Sequence, residues 1–171
     1  MTRLILCYTN NTDTANLHSQ IIAKESEMEY QYNDGGREVA GFKGTAGDCV
    51  ARAIAIASGL PYAEVYAALA SGTGSQPAGK RGKRSASARS GINVTRKWFR
   101  DYMASIGFVW TPTMGIGTGC KVHLKDGELP MGKLVVSVSK HYTAVIDGVV
   151  NDTWNPQRDT GRCVYGYWAK Q

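Results

Sequence analysis

Apolar positions along this chain follow two periods, and the change from one to the other divides it. Across residues 45–70 and 93–107 they recur every three or four positions, the spacing of a helix face. From Phe108 onward they alternate or run in short β-branched stretches. The first helix is predicted to open near Cys49, with Val50, Ala53, Ile54 and Ala57 at helical spacing and Gly59 as its stop. Thr45-Ala46-Gly47-Asp48 offers two starts: Thr45 as N-cap in a capping-box-like pair with Asp48, or Asp48 itself as N-cap. A second helix follows Pro61 and places Tyr62, Val65, Tyr66 and Leu69 on one face. A third runs from an N-cap at Asn93, with Val94, Trp98, Tyr102 and Ile106 inward and Gly107 at its end.

The second half reads as strands: Phe108–Thr111, Leu134–Ser139, His141–Ile146, Val149–Trp154 and Val164–Trp168. Asp147-Gly148 between two β-branched runs marks a tight hairpin. Residues 1–44 carry a strand-like Leu4–Thr9 and a hairpin signal at Asn33-Asp34-Gly35-Gly36. Residues 71–91 lack apolar periodicity, and their Gly, Ser, Lys and Arg content marks a mobile surface loop. The expectation is one α+β domain over 1–171. It has an N-terminal strand and hairpin region (1–44), a helical half (45–107) packed on an antiparallel sheet, and a β half (108–171).

Composition excludes several classes. With 171 residues, 43% hydrophobic and 20% charged, the chain suits one packed core and is not a disordered one. No apolar run approaches the ~20 residues that cross a bilayer, and the opening stretch is too short for a signal peptide, so a cytoplasmic protein without a membrane partner is expected. The net charge of +6 is concentrated in Lys80, Arg81, Lys83, Arg84 and Arg89. This basic loop is a solvated charge run, a cleft-side lid, or a contact for nucleic acid or an acidic protein. It lacks the interleaved aromatics on which single-stranded bases stack.

Cys7, Cys49, Cys120 and Cys163 are far apart, as are His18, His123 and His141, so neither a metal site nor a disulfide framework is expected, and all four thiols are taken as free. No cofactor is implied. Gly115-Ile-Gly-Thr-Gly119 lacks the Gly-Lys-Ser/Thr of a phosphate loop, and His18 and His123 read as surface residues without partners.

Cys49 is the cysteine at a helix start, where the dipole and unpaired N–H groups favour a thiolate. Taken alone it reads first as a small apolar residue filling a core gap. The Asp147-Gly148 turn adds to this. It pairs Ile146 with Val149, so His141 falls opposite Trp154 and Thr143 opposite Asp152, all four on one face, while Asn151 turns to the other. Asp152 is then diagonal to His141 at about 7 Å between Cβ atoms, within reach of a carboxylate–imidazole bond.

A cysteine opening a helix, a histidine opening a strand, and an acid on the next strand resemble the papain-like cysteine peptidase superfamily. Asp152-Thr153-Trp154 is similar to the family's Asn-Ser-Trp, in which the tryptophan shields the histidine–asparagine bond. His141-Tyr-Thr-Ala-Val is similar to its histidine strand, and Asp48-Cys49 to the Asp-Cys of bacteriocin-processing relatives. The resemblance spans roughly 43–168 and implies a helical half against a β half with a cleft between. It also implies a Cys49–His141–Asp152 triad forming a thioester on a peptide or amide substrate. Lys43 stands near where the family places an oxyanion-binding Gln, which leaves Thr45, or the backbone N–H groups of Asp48 and Cys49, as substitutes. Gly-Asp-Cys-Val-Ala-Arg replaces papain's own Cys-Gly-Ser-Cys-Trp.

Proteolysis, deamidation and acyl transfer all remain open, as does a catalytically inactive papain-like protein that binds through the basic loop. The compact chain suits a phage- or bacterium-encoded enzyme.

Overall fold

A computed structural model of the chain describes residues 27–77, 86–89, 91–158 and 161–171. In chain order the elements are β1 (Tyr30–Tyr32), α1 (Cys49–Ser58), α2 (Tyr62–Gly74), α3 (Lys97–Ser105), β2 (Phe108–Pro112), β3 (Lys133–Val138), β4 (His141–Ile146), β5 (Val149–Asp152) and β6 (Val164–Lys170). The strands form one six-stranded sheet in the order β1-β5-β4-β3-β6-β2. The fold is α+β, as the change of period implies, but the sheet is mixed. β1 lies parallel to β5, with Tyr30 beside Val150, and the other pairings are antiparallel.

The edge strand β1 corrects the expected hairpin at Asn33-Asp34-Gly35-Gly36. Gly35 and Gly36 do take positive φ, 68° and 82°, as the turn chemistry implies. No return strand follows them. Residues 37–41 carry no alternation and close helical turns instead, with the Ala40 N–H bonded to Gly36 O at 3.0 Å. The Leu4–Thr9 strand lies outside the described residues.

Helix α1 starts and stops where its pattern places it. Gly59 adopts φ 75° and returns its N–H to Ala55 O. Ala51, Ala53, Ala55 and Ala57 are all buried, and these small side chains let α1 lie close along β4.

Helix α2 buries Tyr62, Val65 and Leu69 as expected, then continues to Gly74, four residues into the stretch read as loop. Packing explains the extension. A Cβ on Gly72 would meet the Trp98 ring at 2.3 Å, so glycine is the residue that lets Trp98 seat there. That contact outweighs the roughly 1 kcal/mol that glycine costs a helix. Ala88 is also fully buried, so the far end of the same stretch joins the core instead of the surface.

Helix α3 opens at Lys97, not Asn93, whose carboxamide oxygen instead binds the N–H and hydroxyl of Thr95 in a preceding turn. Its deepest residues are Phe99 and Met103, while Val94, Trp98, Tyr102 and Ile106 flank them half-buried. Phe99 packs edge-on against Trp168 of β6, centroids 5.9 Å apart, and this contact turns the helix away from the expected stripe.

The Asp147-Gly148 turn forms as expected, with φ of 47° and 83° at its two residues. Helices cover one face of the sheet. The other face, built from Leu134, Val136, Val138, Val145, Val150 and Val164, is covered by Met28 and by a loop that inserts Leu124.

A disulfide between Cys120 and Cys163 ties that loop to the start of β6, which corrects the expectation of free thiols. A sequence separation of 43 hides the pairing; a bridge between His123 and Cys163 brings the two segments together. Cys49 is a free thiol, and Cys7 lies outside the described residues. Among the described residues no helix is long and apolar enough to cross a membrane.

Candidate active site

Cys49 is the first residue of α1, and Asp48 occupies the N-cap position without making a side-chain cap bond. The Asp48 carboxylate turns away from the helix start. It accepts from Arg37 Nε at 2.7 Å, from Arg52 one helical turn on, and from the Tyr62 hydroxyl. The carboxylate is thereby fully engaged; its two arginines neutralise it and fix the start of α1. With no side chain capping the helix, its positive end acts on Cys49.

The other half of the site comes from the β4–β5 hairpin. Its register is the expected one, with Ile146, Val145 and Ala144 facing Val149, Val150 and Asn151. The ladder then stops. Thr143 and Asp152 are not paired, β5 ends at Asp152, and Trp154 lies beyond the strand. Across these opened ends His141 Nε2 meets Asp152 Oδ2 at 2.7 Å, both residues buried. The second carboxylate oxygen accepts the Thr153 N–H at 2.7 Å. The Asp152 carbonyl accepts the Tyr30 hydroxyl and the Asn33 N–H, so β1 holds it from the edge.

Because a carboxylate accepts at Nε2, that nitrogen carries the proton, and Nδ1 is left for Cys49. Burial raises the Cys49 thiol. The His141 bond, the Tyr142 backbone N–H, and the charges of His141 and Arg52 overcome that and bring it below its ordinary value. Burial likewise lowers the His141 imidazole, and hydrogen bonds from Asp152 and Cys49 outweigh it, raising it to about 9. Both directions favour a thiolate–imidazolium pair.

Trp154 places its ring 5.0 Å from the imidazole while remaining 48% exposed, so it covers the histidine and also faces solvent. Thr143 is buried, but its hydroxyl finds no partner and does not join the pair. Thr45 is exposed and lines a cleft of about 570 Å³ with Lys43, Arg52, Thr153 and Trp154. The Thr45 carbonyl accepts from Arg89, the one member of the basic cluster among the described residues. Lys80, Arg81, Lys83 and Arg84 lie outside them.

One expectation elsewhere changes. His123 is not unpartnered: its ring and its N–H both meet Glu128, at 3.2 and 2.7 Å. His18 lies outside the described residues. Gly115–Gly119 is an exposed turn closed by Thr118. Among the described residues no three His, Cys, Asp or Glu side chains group to hold a metal.

Sequence reasoning missed Arg37, Arg52, Tyr62 and Arg162. The Asp48–Arg52 spacing was a legible i,i+4 pair, whereas Arg37 and Arg162 left no local signal. No family model, no curated protein and no solved structure matches the chain.

Proposed function

We propose that this chain is a papain-like cysteine hydrolase, a peptidase or amidase, with Cys49 as nucleophile, His141 as general base and acid, and Asp152 as the residue that orients the imidazole. The observation that carries this reading is a thiol at a helix start facing an imidazole whose other nitrogen is held by a buried carboxylate at 2.7 Å. A helical layer against a sheet, with the three residues at the sheet's end, is the arrangement such an enzyme requires.

His141 takes the Cys49 proton, and the thiolate attacks the carbonyl carbon of a peptide or amide. The carbonyl oxygen becomes an oxyanion beside the uncapped start of α1, where the backbone N–H groups of Asp48 and Cys49, or Thr45, would receive it. Protonated His141 gives its proton to the departing amine as the C–N bond breaks, leaving a thioester. Water, deprotonated by His141, then attacks the thioester and releases the acid and the thiol. Asp152 holds the Nε2–H tautomer and the imidazolium throughout. The cleft lined by Thr45, Thr153 and Trp154 is where a peptide or protein substrate would lie.

The test is the pH dependence of Cys49 alkylation, read by site-specific mass spectrometry in wild type, His141→Ala and Asp152→Ala. Reactivity that persists to about pH 6 and is lost with His141 is the expected result. Alkylation that ignores His141 overturns the triad.

A further inference from the structure

Arg162 is a buried cation that the mechanism above does not use. Only 8% exposed, it forms no ion pair with a carboxylate among the described residues, and its Nε has no hydrogen-bond partner. A buried guanidinium is costly unless its surroundings repay it. Here the surroundings are the two segments that flank His141. One terminal nitrogen donates to the Ser139 carbonyl, in the tight turn that delivers His141 to β4, and the other donates to the Pro156 carbonyl at 3.3 Å. The guanidinium lies 5.8 Å from the centroid of the Trp154 ring, and that ring lies 5.0 Å from His141.

The backbone of Arg162 is itself anchored. Its carbonyl accepts the Leu124 N–H at 2.7 Å, and the next residue, Cys163, is bonded to Cys120.

We propose that Arg162 is a positioning residue for the triad: it clamps the Ser139-Lys140 turn to the Trp154–Pro156 segment and so keeps Trp154 over the His141–Asp152 bond. This rests on the triad reading. Only a planar fork with several donors spans two carbonyls and an indole at once; an ammonium does not. Loss of the clamp frees Trp154 to swing away and admits water to a hydrogen bond that its low-dielectric surroundings strengthen. That water weakens the Asp152 bond that raises the imidazole and relieves the burial that lowers it, so the His141 titration moves when the clamp is lost. The ionisable groups facing His141 are Cys49 from α1 and Asp152 from β5, with Arg162 beyond Trp154, and Arg52 acts on the pair through Cys49.

The experiment follows the His141 ring by NMR titration in the full chain, with His123 as internal reference. It compares wild type, Arg162→Lys, Arg162→Met, Trp154→Leu and the Arg162→Met/Trp154→Leu double variant. Circular dichroism and urea unfolding report whether each variant folds. Arg162→Met is expected to shift the His141 titration by at least about half a pH unit, roughly threefold in the ratio of protonated to neutral imidazole at fixed pH, and His123 is expected to stay put. Arg162→Lys keeps the charge but is expected to fall short of wild type, and the double variant is expected to move His141 less than the sum of the single variants. If Arg162→Met does not fold, the lysine variant carries the comparison.

A His141 titration unchanged in the Arg162 variants, full rescue by lysine, or strict additivity with Trp154→Leu overturns the clamp. A wild-type His141 that titrates at the ordinary imidazole value of ~6.5 overturns the triad reading instead.

Discussion

On one face of the sheet, α1 lies along β4, its buried Ala51, Ala53, Ala55 and Ala57 share one core with Val135 and Ala144, and the periodic pattern of a helix does the covering. On the other face Leu134, Val136, Val145 and Val150 lie under Leu124 and Val122, which belong to a loop with no period at all. The helix side is held by continuous apolar packing plus one buried polar knot at Asp48. The loop side is held at points: the Cys120–Cys163 disulfide, the Leu124 N–H to Arg162 carbonyl bond, and the side chain of Arg162. A helix makes its own backbone hydrogen bonds and presents a ready apolar stripe, whereas an irregular segment must have its polar groups and its entropy managed individually. The candidate site sits where the two regimes meet, with Cys49 from the helix side and His141 flanked by segments that the loop side holds.

The largest effect that sharpens this contrast is expected at Asp48. Asp48→Ala leaves Arg37, Arg52 and Tyr62 buried around a missing charge and should destabilise the fold by about 3–5 kcal/mol in urea unfolding, with loss of Cys49 reactivity. A near-neutral result would show that these arginines find water and that the knot contributes little.

On the loop side, Cys120→Ala/Cys163→Ala should cost about 2–4 kcal/mol, because the bond closes a long loop in the unfolded chain. Hydrogen exchange should then rise across residues 113–132 and leave α1 protected. If α1 opens equally, the two faces are one cooperative unit.

The smallest effect is a pH dependence. In Cys49→Ser the His141 imidazole still bonds Asp152, so its folded value stays above the unfolded ~6.5. A group raised in the folded state stabilises fully below its unfolded value and loses that contribution as pH rises through the folded one. Stability of Cys49→Ser should therefore fall by about 1–2 kcal/mol between roughly pH 6.5 and 9, and a Cys49→Ser/His141→Gln variant should lack the decline. A flat profile in both removes the buried His141–Asp152 bond from the stability of the fold.

Much of the site could be read from local chemistry. Gly59, the alanine-rich run after Asp48 and the Asp147-Gly148 turn each specify their own backbone within a few residues. The helix start at Cys49 and the Ile146–Val149 register follow from them. From that register His141 and Asp152 come within reach, although the ladder opens before their pair and they meet across its splayed ends. What was illegible depends on segments distant in sequence. The turn residues Gly35 and Gly36 behave as turn residues in a hairpin or outside one, so β1 could be assigned to its parallel place beside β5 only once β5 was there to receive it. Gly72 reads as a helix breaker until Trp98 is seated against it.

By itself, the sequence determined the α+β character, the boundaries of α1, the tight β4–β5 turn and the three residue types of the candidate triad, because each rests on periodicity or on turn and cap chemistry spanning a few positions. Tertiary structure alone decided the mixed order of the sheet, the Cys120–Cys163 bond, the Arg37–Asp48 ion pair and the place of Arg162 behind Trp154. The physical reason is common to all four. A disulfide, a buried charge and an edge strand are satisfied by whatever partner the finished fold brings to them, and nothing in the neighbouring residues specifies which partner that will be.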